Sequence, residues 1–113
     1  MAVYEMPQLL AERRGTDRPY LEFLRVASLS AGVYELPAGG EDRQRPHAED
    51  EIYFVVQGRG RLRMGSEDRD VGPGMVLFVA AQVEHRFHTI TEDLTLLVVF
   101  APAEGTRAGA GVA

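Results

Sequence analysis

The chain has 113 residues, a net charge of −5, and a composition that is 45% hydrophobic and 26% charged. That suffices for one domain around one hydrophobic core, with no apolar run near the roughly 20 residues of a membrane span and no basic cluster to suit nucleic acid. The absence of cysteine excludes disulfides and thiolate metal sites and fits a reducing cytoplasm.

No basic region followed by an apolar one opens the chain, so no secretory signal is expected. All 12 basic residues are arginine, which excludes Schiff-base chemistry on a lysine.

Residues 1–19 are mixed. Residues 7–14, PQLLAERR, suit a short helix with Pro7 near its start and Gly15 past its end; residues 2–6 suit an extended arm. From Tyr20 the period is close to two, through Leu21, Phe23 and Arg25. A second run from Ser30 to Leu36 ends at Pro37, Gly39 and Gly40. Residues 41–45 are a polar loop. Residues 52–56 form an apolar run of strand length, rich in residues that favour strands. Gly58 and Gly60 predict a turn, and residues 61–64 alternate, with Leu62 and Met64 on one face. Further turns are expected at residues 65–68 and 71–74. Strands follow at residues 75–79, 83–90 and 94–100, the last two separated by residues 91–93. Residues 102–113 are small and without pattern, and a mobile tail is expected. Seven or eight short strands with turn signals and almost no helix predict an antiparallel sandwich or barrel, residues 20–101, following the arm or helix of residues 1–19.

All three histidines fall between residues 47 and 88. His47 and Glu51 are four apart, so in extended chain they face the same way, with Tyr53 and Val55 continuing that face. Glu49 and Asp50 are expected as a solvated acidic face. His85 and His88 are three apart and face opposite ways, so without a bulge only one can join His47. Phe87 shares the face of His85 and Arg86 that of His88, which selects His85 as the inward histidine. Two imidazoles and one carboxylate hold one face of an octahedral ion and leave positions open, as catalytic metal sites do.

These residues also carry a resemblance. Gly39, five residues, Arg45-Pro46-His47, three residues, Glu51, six residues and Gly58 match the spacing of the first cupin motif. Gly74, five residues, Ala80-Ala81-Gln82, two residues, His85, three residues and Thr89 match that of the second. The chain resembles a small single-domain cupin, which implies an all-β, antiparallel jelly-roll β-barrel and a metal held by His47, Glu51 and His85. Arg45 stands where the family has its first histidine. Guanidinium has no lone pair to give, so Arg45 is expected to hold a substrate carboxylate or to pair with Glu41, Asp42 or Glu49. A one-residue slip would bring the carbonyl oxygen of Gln44 within reach instead. Ala80 and Gln82 replace the family's Pro and Gly, and Thr89 its Asn. Tyr53, Met64 and Phe87 are either core or the wall of a pocket beside the metal.

The resemblance implies a divalent ion (Fe, Mn, Ni or Zn) and a small-molecule substrate. The chemistry would be dioxygenase-like with iron or isomerase-like with a Lewis acid. The alternatives are a non-catalytic ligand-binding barrel and a barrel that has lost its metal. A homodimer is expected, with the open edge of residues 20–26 covered by a second copy.

Overall fold

The computed structural model describes residues 1–106; residues 107–113 of the expected tail lie outside the described residues. One helix, α1 (Met6–Arg14), precedes six strands: β1 (Tyr20–Val26), β2 (Leu29–Leu36), β3 (Asp50–Met64), β4 (Glu67–Val71), β5 (Val76–Val79) and β6 (His85–Ala101). All pairings are antiparallel. They follow the order β1-β2-β6-β3-β4, and β5 also pairs with β3. No helix among the described residues is long and apolar enough to cross a membrane.

Helix α1 starts with Pro7 in its first turn, where the missing N–H has no helical partner to lose. It buries Leu9. Arg13 and Arg14, in its last turn, each reach Glu35 of β2 at 2.9 Å and tie the helix to the sheet.

Among the described residues six strands form rather than seven or eight, because two expected breaks do not end strands. Residues 52–56 and 61–64 belong to one strand, β3, and residues 91–93 lie inside β6. Gly58 and Gly60 sit where β3 and β6 slip register, between Val55 and Gln57, Gln57 and Arg59, and Arg59 and Arg61. Gly58 takes φ +100°, and a Cβ there would run into the Asp93 carbonyl oxygen and the Leu94 backbone. Glycine serves a bulge here, where two backbones come unusually close.

Those slips bend the longest ladder in the molecule. It pairs Glu51 with Phe100 at one end and Met64 with His85 at the other. The 13 steps from Glu51 to Met64 would span roughly 43 Å if straight. Yet Glu51 Oε1 lies 3.0 Å from His85 Nε2. The ladder therefore folds back until its ends meet.

Along β3, Glu51, Tyr53 and Val55 are buried while Ile52 and Phe54 are exposed. The inward residues of both halves of β3 and β6 join Tyr34, Leu36, Val71, Leu77 and Val79 in one core. The sheet is not closed edge to edge, since β1 and β4 remain its ends. It is an open antiparallel sheet wrapped around that core.

Residues 102–106 are held in place, contrary to the expected mobile tail. Ala103 is buried. The Glu104 N–H donates to Ser30 Oγ at 2.9 Å, the Gly105 N–H to Glu49 Oε1 at 3.2 Å, and Arg25 Nη2 to the Glu104 carbonyl at 2.8 Å. Main-chain groups do the anchoring, so no hydrophobic pattern advertises it. Glu49 is itself only 2% exposed and not part of a solvated acidic face.

The bulge at Gly58 yields a stability prediction. Gly58→Ala should lower the unfolding free energy by about 2–4 kcal/mol in urea denaturation. Gly65→Ala, which also has positive φ but no atom within 4 Å of the added Cβ, should cost only about 1 kcal/mol. Equal losses would mean that the close approach to Asp93 carries no weight.

Candidate metal centre

Glu51 is the second residue of β3, His85 the first of β6, and His47 lies in the irregular segment between β2 and β3. One potential ligand atom from each lies within 4.8 Å of the others. Glu51 and His85 face inward with the parity expected of them, beside Tyr53 and Phe87. His88 faces outward and meets Asp68 at 2.9 Å. Strand parity does not place His47, because β3 begins only at Asp50. Two other contacts do so. Its ring packs edge-on against Phe100, with centroids 4.8 Å apart, and its carbonyl accepts the Gln82 N–H at 2.7 Å. Gln82 keeps the left-handed φ of +68° at the position where the resemblance has glycine.

The hydrogen bonds assign the His85 tautomer. Nδ1 lies 2.9 Å from the Val83 carbonyl, which can only accept, so Nδ1 carries a proton. In the neutral ring Nε2 then turns a lone pair toward Glu51 Oε1, 3.0 Å away. Two electron pairs at that distance repel unless a proton or a cation lies between them. Neither oxygen of Glu51 has a hydrogen-bond partner among the described residues, although the side chain is 2% exposed. An orphaned buried carboxylate is costly.

Asp42 shows the difference. It is equally buried but accepts from the Tyr34 hydroxyl at 2.8 Å, the Gln44 N–H at 3.2 Å, Gln44 Nε2 at 2.7 Å and the Phe87 N–H at 2.9 Å. The chain thus satisfies one buried acid fully and leaves the other facing two imidazoles. His47, Glu51 and His85 fit a divalent cation on this ground as well as on donor type.

A polar chain runs from Asp42 through Gln44 to the centre. Gln44 Oε1 is 2.9 Å from the Tyr53 hydroxyl, which is also 3.0 Å from His85 Nε2. Gln44 is thus committed to Asp42 and Tyr53 rather than to a ligand position. Burial, reinforced by the charge of Glu51, pushes the Tyr53 phenol well above its usual range, so it stays protonated. A cavity of about 350 Å³ opens over the centre, walled by Tyr20, Tyr34, Tyr53, Phe100 and Glu104 among others.

The remaining expected contacts lie elsewhere. Arg45 is exposed, lines a neighbouring depression, and forms no ion pair with Glu41 or Asp42 among the described residues. Phe87 is core, edge-on to Tyr53 with centroids 4.9 Å apart, and Met64 packs on that core. Neither residue walls the cavity over the centre, since the bent ladder puts both below it.

Sequence reasoning missed Tyr20, Tyr34 and Glu104 as residues of the cavity, and Asp42 as its anchor. The signal for the tyrosines was available: Tyr20 and Tyr34 are direct partners in the β1–β2 hairpin. The ring tip of Tyr20 occupies the space a Cβ at Gly32 would take. Its buried hydroxyl has no partner among the described residues. Glu104 is 3.6 Å from His47 Nδ1. Burial raises the Glu104 pKa, as do the charges of Glu51, Glu22 and Glu49, against the opposing effect of His47.

Residues 32–100 match the family model described as a cupin domain. A curated relative, the uncharacterized protein SCO3923 of Streptomyces coelicolor, is 49% identical over 104 residues, covering 92% of this chain and 99% of that protein. Among solved structures, TT1209 from Thermus thermophilus aligns with a TM-score of 0.74 at 23% identity, over 91% of this chain and 99% of that one. The DMSP lyase DddQ from Ruegeria pomeroyi aligns with a TM-score of 0.65 at 26% identity, over 74% of this chain and 47% of that one.

The pKa of His85 gives a pH prediction. Burial lowers it, but the hydrogen bonds to Glu51 and the Val83 carbonyl, with the charges of Glu51 and Asp42, outweigh burial and leave it raised. Protonation of His85 therefore stabilises the metal-free fold. That contribution is complete below the unfolded value of about 6.5 and is lost as pH rises through the higher folded value. In urea denaturation with EDTA, stability should fall as pH rises above about 6.5, and by more than in His85→Gln. Parallel pH profiles would contradict the assignment.

Proposed function

The chain belongs to the cupin family, and we propose that it is a metal-dependent cupin acting on a small oxygen-bearing molecule, with its sheet forming the family's jelly-roll barrel. The observation that carries this reading is the buried carboxylate of Glu51, which faces His47 and lies 3.0 Å from the lone pair of a neutral His85. His47, Glu51 and His85 would hold one Fe, Mn, Ni or Zn ion, with positions left open for substrate. The ion would supply Lewis-acid polarisation of a carbonyl or enol oxygen, or with iron the activation of dioxygen.

The protein's own part is better defined. The Tyr53 hydroxyl is neutral, donates to Gln44 Oε1 at 2.9 Å and lies 3.0 Å from His85 Nε2, at the edge of the centre. A neutral phenol beside a polarised oxygen suits proton transfer, which favours isomerase or lyase chemistry over oxygenation. The similarity to a DMSP lyase supports including that compound among the substrates tested. A second reading, ligand binding without turnover, rests on the unpartnered Tyr20 hydroxyl in the cavity wall; a small molecule retained in native mass spectra would favour it.

Elemental analysis of untagged protein should find about one divalent ion per chain, lost in His85→Ala and Glu51→Gln. Tyr53→Phe should keep the ion and lose about 100-fold in solvent-deuterium exchange of small enolisable acids, followed by NMR. No metal in the wild type after anaerobic incubation with iron(II), and none with zinc, would overturn the reading.

We also propose a homodimer. The outer face carries Ile52, Phe54, Val76 and Phe78, which are 43%, 38%, 66% and 58% exposed, and β1 ends the sheet with a free edge. Sedimentation should give twice the mass of one 12.5 kDa chain; a monomer at all concentrations would refute it.

A further inference from the structure

The two histidines of the centre are held in different ways. His85 belongs to β6, and the Val83 carbonyl fixes its Nδ1 at 2.9 Å. His47 stands in a segment with no helix or strand, between Leu36 and Asp50. Packing against Phe100 fixes the plane of its ring but not which nitrogen carries the proton. A ligating imidazole almost always donates its other ring N–H to a carboxylate, carbonyl or water that sets its tautomer.

The group on that side comes from the far end of the chain. Glu104 Oε2 lies 3.6 Å from His47 Nδ1, within ion-pairing range and just beyond hydrogen-bond length. Its placement is built. The Glu104 N–H donates to Ser30 Oγ, which is fully buried, its carbonyl accepts from Arg25 Nη2, and buried Ala103 seats the preceding turn. Arg25 is in turn held by Glu22 at 2.7 Å. The main chain on both sides of the Glu104 side chain is thus fixed, which leaves its carboxylate at the mouth of the cavity beside His47.

We propose that Glu104 is the positioning residue of His47. Its carboxylate accepts the Nδ1 proton of the ring, sets the tautomer, and leaves Nε2 as the nitrogen that faces Glu51 and His85. The strap of residues 102–106 therefore completes the centre. Each histidine then has an oxygen on Nδ1, a carbonyl for His85 and a carboxylate for His47. A carboxylate behind His47 makes its ring the more basic donor of the two. The inference rests on the metal reading above for its purpose, but the tautomer can be read without metal.

The test is long-range proton–nitrogen NMR of the histidine rings together with zinc affinity by competition with a chromophoric chelator. In wild-type protein, metal-free at about pH 8 and zinc-loaded, His47 should carry its proton on Nδ1. Glu104→Ala should give a mixture of tautomers when metal-free and bind zinc about 10- to 100-fold more weakly. Glu104→Gln keeps an acceptor and the side-chain shape, and should keep the tautomer with about 3- to 10-fold weaker zinc binding. If the alanine variant fails to fold, the glutamine variant carries the affinity test. A proton on Nε2 in the wild type, or unchanged zinc affinity in both variants, would overturn the proposal. Failure of the wild type to bind zinc or iron would instead overturn the metal reading, and the metal-free tautomer would still decide the role of Glu104.

Discussion

The pairing of β3 with β6 is the constraint on which the rest depends. Glu51 and His85 sit at opposite ends of that ladder, paired with Phe100 and Met64 respectively. They meet only because the ladder bends, and it bends where register slips around Gly58 and Gly60. A regular two-stranded ladder would hold these side chains tens of ångströms apart. The same bend turns the inward residues of both halves toward one another and so makes the core. Core and centre therefore share one ladder: the bend that buries the inward residues also brings the carboxylate to the imidazole.

The energetic cost of that event is concentrated at Glu51. Hydrophobic contacts on β3 and β6 drive the closure, and the closure takes Glu51 out of water beside a nitrogen lone pair. In the metal-free protein a proton on His85 relieves the conflict, which is why its pKa is raised in spite of burial. A divalent cation would relieve it more fully, since a single ion would then satisfy Glu51 and both imidazoles. Proton and metal compete for the same space. Asp42 experiences no such conflict. Its four hydrogen bonds make it a rigid strut that holds Tyr34, Gln44 and the Phe87 main chain.

Much of this was legible in the sequence, and the illegible parts have physical reasons. Alternation along residues 51–55 and 85–88 gave the inward faces correctly, because side chains in a sheet face one way or the other. The glycines at 58 and 60 were visible but ambiguous: a turn and a bulge both need a backbone free of Cβ. Only the partner strand decides between them, and the partner lies some 35 residues away, at Asp93. Residues 102–106 carry no sequence signal of their anchoring, because the anchors include main-chain N–H and carbonyl groups, which every residue has. Arg45 stood at a motif position and yet faces out, since spacing fixes where a residue falls in a loop but not which way its side chain turns.

The outward turn of Arg45 clarifies what replaces the missing fourth ligand. Gln44 points inward in its place and hands a hydrogen-bond acceptor to Tyr53, and Tyr53 brings a hydroxyl to within 3.0 Å of His85 Nε2. A fourth imidazole-type donor would fill a coordination position and leave the cavity without a proton donor. In the proposed reading, a phenol kept neutral by burial and by Glu51 would leave that position open and could supply a proton instead. Substituting arginine at the loop position therefore does not impoverish the centre. It goes with a change in kind, from a site defined by its ligands alone to one in which ligands and a proton donor share the same 350 Å³ cavity.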